Sequence, residues 1–220
     1  MRIEILDENS FFLVANKPPG VLSQKDNTGD PDLAELLQKS EKRNFLHPTH
    51  RLDRNTSGIL VLAKTPEAAR ILSSGIQGNT WEKYYLALVK GDPGSEGKFD
   101  SALTKDEKKN QSKVDPKGEP ALTEFTRLKF NGSMSLVKIR LHTGRSHQIR
   151  VHFSHAGFPL VGDRKYGKKP WSELCERPLL HAFALKFPYE GKNYAYQTTP
   201  PKDFLEFLKK VGGFQDFLNL

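Results

Sequence analysis

The sequence predicts an α+β fold, with a mixed, largely antiparallel central sheet and flanking helices and loops. Three observations carry this. The strand-like runs do not alternate regularly with helices, which argues against a repeated strand–helix–strand unit. Two of them, Leu122–Phe130 and Met134–Leu141, flank Asn131-Gly132, a strong hairpin signal. Stretches with helical spacing are mixed among such hairpins rather than set apart from them. Residues 1–220 read as one domain, or one domain with two lobes, long enough to bury a real core.

The elements follow in order. Residues 11–15 (Phe-Phe-Leu-Val-Ala) read as a buried strand, stopped by Asn16-Lys17-Pro18-Pro19-Gly20, because two prolines and a glycine cannot continue a ladder. Leu33, Leu36 and Leu37 have helical spacing, with Asp30-Pro31-Asp32 as the start. A polar loop over residues 50–58 runs straight into Ile59-Leu60-Val61-Leu62-Ala63, a continuous apolar run of the kind buried on both faces. Thr65 is placed as an N-cap, with Pro66 first in the helix and Glu67 suited to its positive end.

Residues 83–89 read as another strand, closed by Gly91. Residues 92–119 are polar and read as a surface excursion with short strands. After the 122–141 hairpin, Thr143-Gly144-Arg145 turns the chain. Ser146 is then expected to cap a short helix through Ala156, with Ile149, Phe153 and Ala156 on its core face. Phe204, Leu205, Leu208 and Val211 mark an amphipathic helix between Pro200-Pro201 and Gly212-Gly213.

Composition narrows the function. With 36% hydrophobic and 27% charged residues, the chain is globular rather than disordered. Apolar runs such as residues 59–63 are far below the roughly 20 residues of a membrane helix. The first residues lack a signal-peptide pattern, and a single cysteine, Cys175, supports neither a disulfide framework nor a cysteine-rich zinc site. A cytoplasmic or organelle-matrix enzyme is the expectation, the cytoplasm being the first choice. The net charge of +8 points to a polyanionic partner, most plausibly nucleic acid. Residues 138–192 hold eleven Lys plus Arg against four Asp plus Glu, so +7 of the +8 lies in a quarter of the chain.

Two segments have the residues for chemistry. In the 50–58 loop, Asp53 sits between Arg51 and Arg54, where flanking cations favour an ionised carboxylate able to act as nucleophile, base or ligand. Taken alone, the same pattern is more often a capping aspartate in a turn. In residues 143–152, Arg145, His147, Gln148 and Arg150 gather at a strand-to-helix turn, a place suited to anions. Its bland alternative is a solvated helix face, weakened because the apolar positions keep helical spacing. His47 and His50, and His152 and His155, lack an acid placed as in the helical zinc motifs, so they read as polar contacts rather than a metal site. Lys83-x-Tyr85 on a strand is a weak signal by itself.

Together these segments resemble the RluA-type family of RNA pseudouridine synthases. His50-Arg51-Leu52-Asp53-Arg54-Asn55-Thr56-Ser57-Gly58 resembles that family's His-Arg-Leu-Asp-x-x-Thr-Ser-Gly motif. Asn16-Lys17-Pro18 resembles its upstream element, Lys83-Tyr84-Tyr85 the strand with the active-site tyrosine, and residues 143–152 the motif with its arginine. Gly162-Asp163-Arg164-Lys165-Tyr166-Gly167 and Leu179-Leu180-His181-Ala182 fit in the same order, so the resemblance runs from about Asp7 to Phe204. It implies a catalytic domain without the S4-type RNA-binding domain of many relatives, a pseudouridine synthase fold with a central RNA-binding cleft, and conversion of uridine to pseudouridine in tRNA or ribosomal RNA without cofactor or metal. Asp53 would be the nucleophile, Arg150 its partner, and Tyr85 the residue stacked on the base. Whether Asp53 attacks C6 of the base or C1′ of the sugar stays open.

Arg51 is a candidate to fill the space of a flipped base. Arg51, Arg54, Arg145, His147, Gln148, Arg164 and Lys165 are the expected RNA contacts, with residues 105–117 as an outlying one. Leu60, Leu62, Ile149 and Leu180 are candidates for apolar walls. A monomer is the default. The competing readings are a non-catalytic RNA-binding module of this fold and a metal-dependent hydrolase using the histidines.

Overall fold

The computed structural model describes residues 3–41 and 45–217. In chain order the elements are β1 (Glu4–Glu8), β2 (Phe12–Lys17), α1 (Leu33–Glu41), β3 (His47–Pro48), β4 (Ser57–Ala63) and α2 (Pro66–Gln77). They continue with β5 (Glu82–Lys90), β6 (Glu96–Asp100), β7 (Leu103–Asp106), β8 (Gln111–Val114), β9 (Leu122–Phe130) and β10 (Met134–Leu141). Last come α3 (Gln148–His155), β11 (Leu180–Tyr189), β12 (Lys192–Gln197) and α4 (Lys202–Val211). The chain divides into two compact units, residues 1–82 with 182–199, and residues 83–181 with 200–220.

In the first unit the strand order is β1-β2-β4-β11, with β3 on β4 and β12 on β11. Pairs β1/β2, β2/β4, β3/β4 and β11/β12 are antiparallel. All seven residues of β4 are buried, as its unbroken apolar run requires. One face of the sheet gives Phe12, Val14, Ile59, Val61, Leu185 and Phe187 to a core closed by Ala68 and Leu72 of α2 and by Trp81. Trp81 stacks on Phe187 with centroids 4.5 Å apart, and Phe12 meets Phe187 edge-on. Thr65 caps α2 as expected, its side chain accepting the Ala68 amide at 3.1 Å. Asp32 does the same for α1 through the Glu35 amide.

In the second unit β5-β10-β9-β6 form an antiparallel run, and β7 and β8 pair separately. The 122–141 hairpin is present, with Gly132 at φ 96° in its turn. The 92–119 excursion contains β6, β7 and β8.

One local expectation fails. Ser146 does not cap α3, which begins at Gln148, and the buried Ser146 hydroxyl has no hydrogen-bond partner among the described residues. The residue before the helix is His147, in the left-handed region at φ 55°, which turns the chain in a way an extended Ser146 cap would not. The Gln148 side chain instead braces the turn that leads into the helix. Its Oε1 accepts from the Arg145 amide at 3.0 Å and from the Thr143 hydroxyl at 2.8 Å.

Candidate active site

In the first unit, the loop bearing Asp53 is fixed by backbone contacts on either side of it. The Leu52 amide donates to Ser23 Oγ, and Ser23 Oγ donates back to the Leu52 carbonyl, at 3.0 and 2.9 Å. The Thr56 amide donates to the Asp53 carbonyl, closing the turn. Beyond it, Gly58 has φ 120°, and a Cβ there would stand 2.2 Å from the Ala182 carbonyl oxygen, so only glycine fits. Asp53 itself is partly exposed.

The Asn16-Lys17-Pro18-Pro19-Gly20 turn is the other half of this support. Lys17 has no accessible surface, yet its ammonium donates to the carbonyls of Val21, Arg54 and Pro18 at 2.8, 3.0 and 3.1 Å. The Gly20 amide also donates to the Arg54 carbonyl. The three carbonyls meet the hydrogens of this buried ammonium, and the Arg54 bond ties the turn to the residue after Asp53. Sequence reading singled out this segment but not the role of its lysine.

The two arginines flanking Asp53 differ. Arg54 turns away to an ion pair with Asp30 and a hydrogen bond to the Gly20 carbonyl. Arg51 is exposed and forms no hydrogen bond or ion pair among the described residues.

In the second unit, Arg150 lies on α3 and is 9% exposed. Its guanidinium makes two parallel bonds to Asp163, Nε to Oδ2 at 2.7 Å and Nη2 to Oδ1 at 2.9 Å, and it lies 5.0 Å from the centre of the Tyr166 ring. Sequence reading named Asp53 as the partner of Arg150 and did not foresee Asp163. The 162–167 turn now has a physical reason. Asp163 has no accessible surface and also accepts from the amides of Lys165 and Tyr166. At Gly162 a Cβ would stand 2.0 Å from the Arg177 carbonyl oxygen, and at Gly167 one would stand 2.6 Å from the Asp163 oxygen.

Gln148 is a correction. It was expected to touch RNA, but it is 3% exposed and its amide is fully used. Its Nε2 donates to the Leu122 carbonyl and to Thr123 Oγ1, both at 3.0 Å, and its Oε1 accepts from Arg145 and Thr143 as described above. Thr123 and His152 extend this chain. His152 Nε2 is 3.0 Å from the Ser101 carbonyl, which can only accept, so Nδ1 accepts from the Thr123 hydroxyl at 2.9 Å. Burial lowers the pKa of His152 and favours this neutral ring.

Among the other expected contacts, His147 Nδ1 lies 2.7 Å from the Tyr166 hydroxyl, which also accepts the Ser112 amide of β8. Arg145 is paired with Glu119 and bonded to the Pro120 carbonyl. Lys165 is exposed, with its amine on the Asn110 carbonyl. Arg164 is exposed and forms no hydrogen bond or ion pair among the described residues. Of the basic segment, Arg150 and Arg177 are therefore held in ion pairs with Asp163 and Asp203, while Arg164 faces solvent.

Tyr85 is on β5, 6% exposed and opposite Ile139. Leu60 and Leu62 have no accessible surface, which makes them core rather than wall, while Ile149 and Leu180 are 4% exposed. Among the described residues, no group of three or more His, Cys, Asp or Glu could hold a metal ion. Nor is any described helix long and apolar enough to cross a membrane.

Comparison with known proteins decides the family. Residues 11–155 match the family described as RNA pseudouridylate synthase, a span that includes Asp53, Tyr85 and Arg150.

The chain belongs to the RNA pseudouridylate synthase family.

The motif resemblance thus holds over most of the sequence. An uncharacterized RNA pseudouridine synthase of Chloroflexus aurantiacus is 38% identical over 165 residues, covering 74% of this chain and 52% of that protein. A ribosomal large subunit pseudouridine synthase D of Borreliella burgdorferi is 36% identical over 221 residues, covering 94% of this chain and 68% of that one. The chain therefore spans about half the length of the first and about two thirds of the second. Human RNA pseudouridylate synthase domain containing 1 is a structural match with TM-score 0.79 and 28% identity, covering 91% of this chain and 84% of that one. On this evidence the chain is an RNA pseudouridine synthase.

Proposed function

We propose that this pseudouridine synthase converts uridines in structured RNA to pseudouridine, with Asp53 as the nucleophile. The C1′–N1 bond of the target breaks and the base turns. C5 then bonds to C1′, the C5 hydrogen leaves as a proton, and N1 is left protonated. No oxidant or cofactor is needed for that balance. The observation that carries the reading is the loop around Asp53. A carboxylate is presented beside an exposed arginine, on a turn fixed by Ser23, Lys17 and a glycine that admits no side chain.

A uridine in a stack shields C1′ and C6, so the base is taken to leave the stack, with Arg51 entering the space it vacates. Arg150 then aims the Asp53 carboxylate, a role suited to a guanidinium already held in one orientation by Asp163. Tyr85 stacks on the base and assists removal of the C5 proton. Relatives named as ribosomal large subunit synthases make ribosomal RNA the first substrate to try, with tRNA next. The protein is taken to act in the cytoplasm as a monomer without metal.

The test is tritium release from RNA labelled at uridine C5, with wild type, D53A and D53N. The reading expects release with wild type and none with either variant. Full activity in D53A sinks the mechanism, and pseudouridine mapping in total RNA with and without the gene names the target.

A further inference from the structure

Four cationic side chains are buried among the described residues, and three have partners. Lys17 donates to three carbonyls, Arg150 is paired with Asp163, and Arg177 with Asp203. Lys83 is the fourth. It is 8% exposed and forms no hydrogen bond or ion pair among the described residues. Burial alone lowers its pKa, with no neighbouring charge or acceptor contributing. An ammonium placed this way is costly unless something arrives to meet it.

Its position says what that is. Lys83 and Tyr85 are two apart on β5, so their side chains leave the same face of the strand about 7 Å apart along it. Its amine reaches the Thr143-Gly144-Arg145 turn, where a Cβ on Gly144 would stand 3.9 Å from Nζ. The glycine leaves that space open. The anions of an RNA substrate are its phosphates, and a lysine amine is a compact point charge well matched to one.

We propose that Lys83 is a substrate-positioning residue whose ammonium binds a backbone phosphate of the RNA, at or next to the nucleotide whose base meets Tyr85. This rests on the reading above that Tyr85 faces the target uracil. The phosphate supplies the counter-charge the protein withholds, so the bond forms only when RNA is in place.

The experiment is a pairing of variants with neutralised phosphates. The probe is a synthetic RNA stem-loop with one uridine in its loop, made with ordinary phosphates or with a neutral methylphosphonate on the 5′ or the 3′ side of that uridine. Dissociation constants are measured for wild type, K83M and K83R. On the ordinary RNA, K83M should bind about tenfold or more weakly, as loss of one charge-assisted bond implies, and K83R should recover most of that. On one of the two neutralised RNAs wild type should lose a similar factor and K83M nothing further. K83M removes a buried unpaired charge, so its melting temperature should equal or exceed that of wild type. The proposal is overturned if K83M binds ordinary RNA as wild type does, or if the two losses multiply at both phosphates. Absence of pseudouridine in wild-type product would instead refute the functional reading, because the binding measurements judge Lys83 independently.

Discussion

The ammonium of Lys17 donates to the carbonyl of Arg54, 37 residues further along the chain, at 3.0 Å. That bond joins the end of β2 to the residue following Asp53. Substituting Lys17 by Met keeps the volume and strands the carbonyls it serves. We expect K17M to lose roughly 1–3 kcal/mol in urea denaturation, the cost of leaving buried polar groups unmet. Pseudouridine formation should fall further than stability explains, measured where the variant is fully folded. An active K17M of wild-type stability would show that the turn does not need its lysine.

Asp163 holds two nitrogens of Arg150 and has no surface of its own. Replacing it by Asn removes the counter-charge without changing the shape. Breaking a buried ion pair on one side costs about 3–5 kcal/mol, and D163N should show a loss of that order in chemical denaturation. With Arg150 released, the turnover rate should drop more than RNA affinity. The opposite pattern would assign the pair to binding alone.

His152 gives a pH dependence with a definite sign. Its folded pKa lies below the ordinary 6.5, because burial disfavours the charged ring. As pH falls, the unfolded chain takes up this proton first. The stability is therefore intact above pH 6.5 and lost progressively below it, until the folded ring titrates as well. Each unit of separation between the two pKa values is worth about 1.4 kcal/mol. In denaturation curves from pH 8 to 5, H152Q should lose less stability than wild type on acidification. A wild-type slope unchanged by the substitution would discount the histidine.

RNA affinity should fall linearly with the logarithm of salt concentration, as phosphate-dominated binding does. Exposed Arg164 and Arg51 should each contribute, so R164Q and R51Q should reduce the slope by about 0.7–0.9 apiece. Lys202, paired with Glu206 on α4 and outside the basic segment, is the control, and K202Q should leave the slope unchanged. Salt-insensitive binding would refute the placement of residues 138–192 along the RNA.

Much of this was legible because it is written in local chemistry. The apolar run of β4 and the Thr65-Pro66 start of α2 depend on residues next to one another. The Asp53 loop stood out as a string of side chains in fixed spacing. What escaped depends on contacts between distant segments. β1 has acids at three of its five positions, a composition that does not announce a strand. The β11/β12 hairpin turns through Glu190 and Gly191, both at positive φ, but Glu is not among the residues that advertise such a turn. A count of positive charges cannot tell Arg150 and Arg177, held by buried pairs, from Arg164. Nor does a sequence say that Gln148 faces inward, since an amide suits RNA and a strand edge equally well.

The Gln148 contacts also govern how the protein comes apart. A helix usually frays from its ends because its first turn is held by a cap that can let go alone. Here the first residue of the helix is tied by its own side chain to Leu122 and Thr123 of β9, and Thr123 in turn is bonded to His152 one turn further on. The opening of α3 and the start of β9 therefore form one cooperative block. The backbone amides of residues 151 and 152 should exchange with solvent at the pace of the strand, so Arg150 is presented from a helix start that cannot loosen ahead of the sheet beside it.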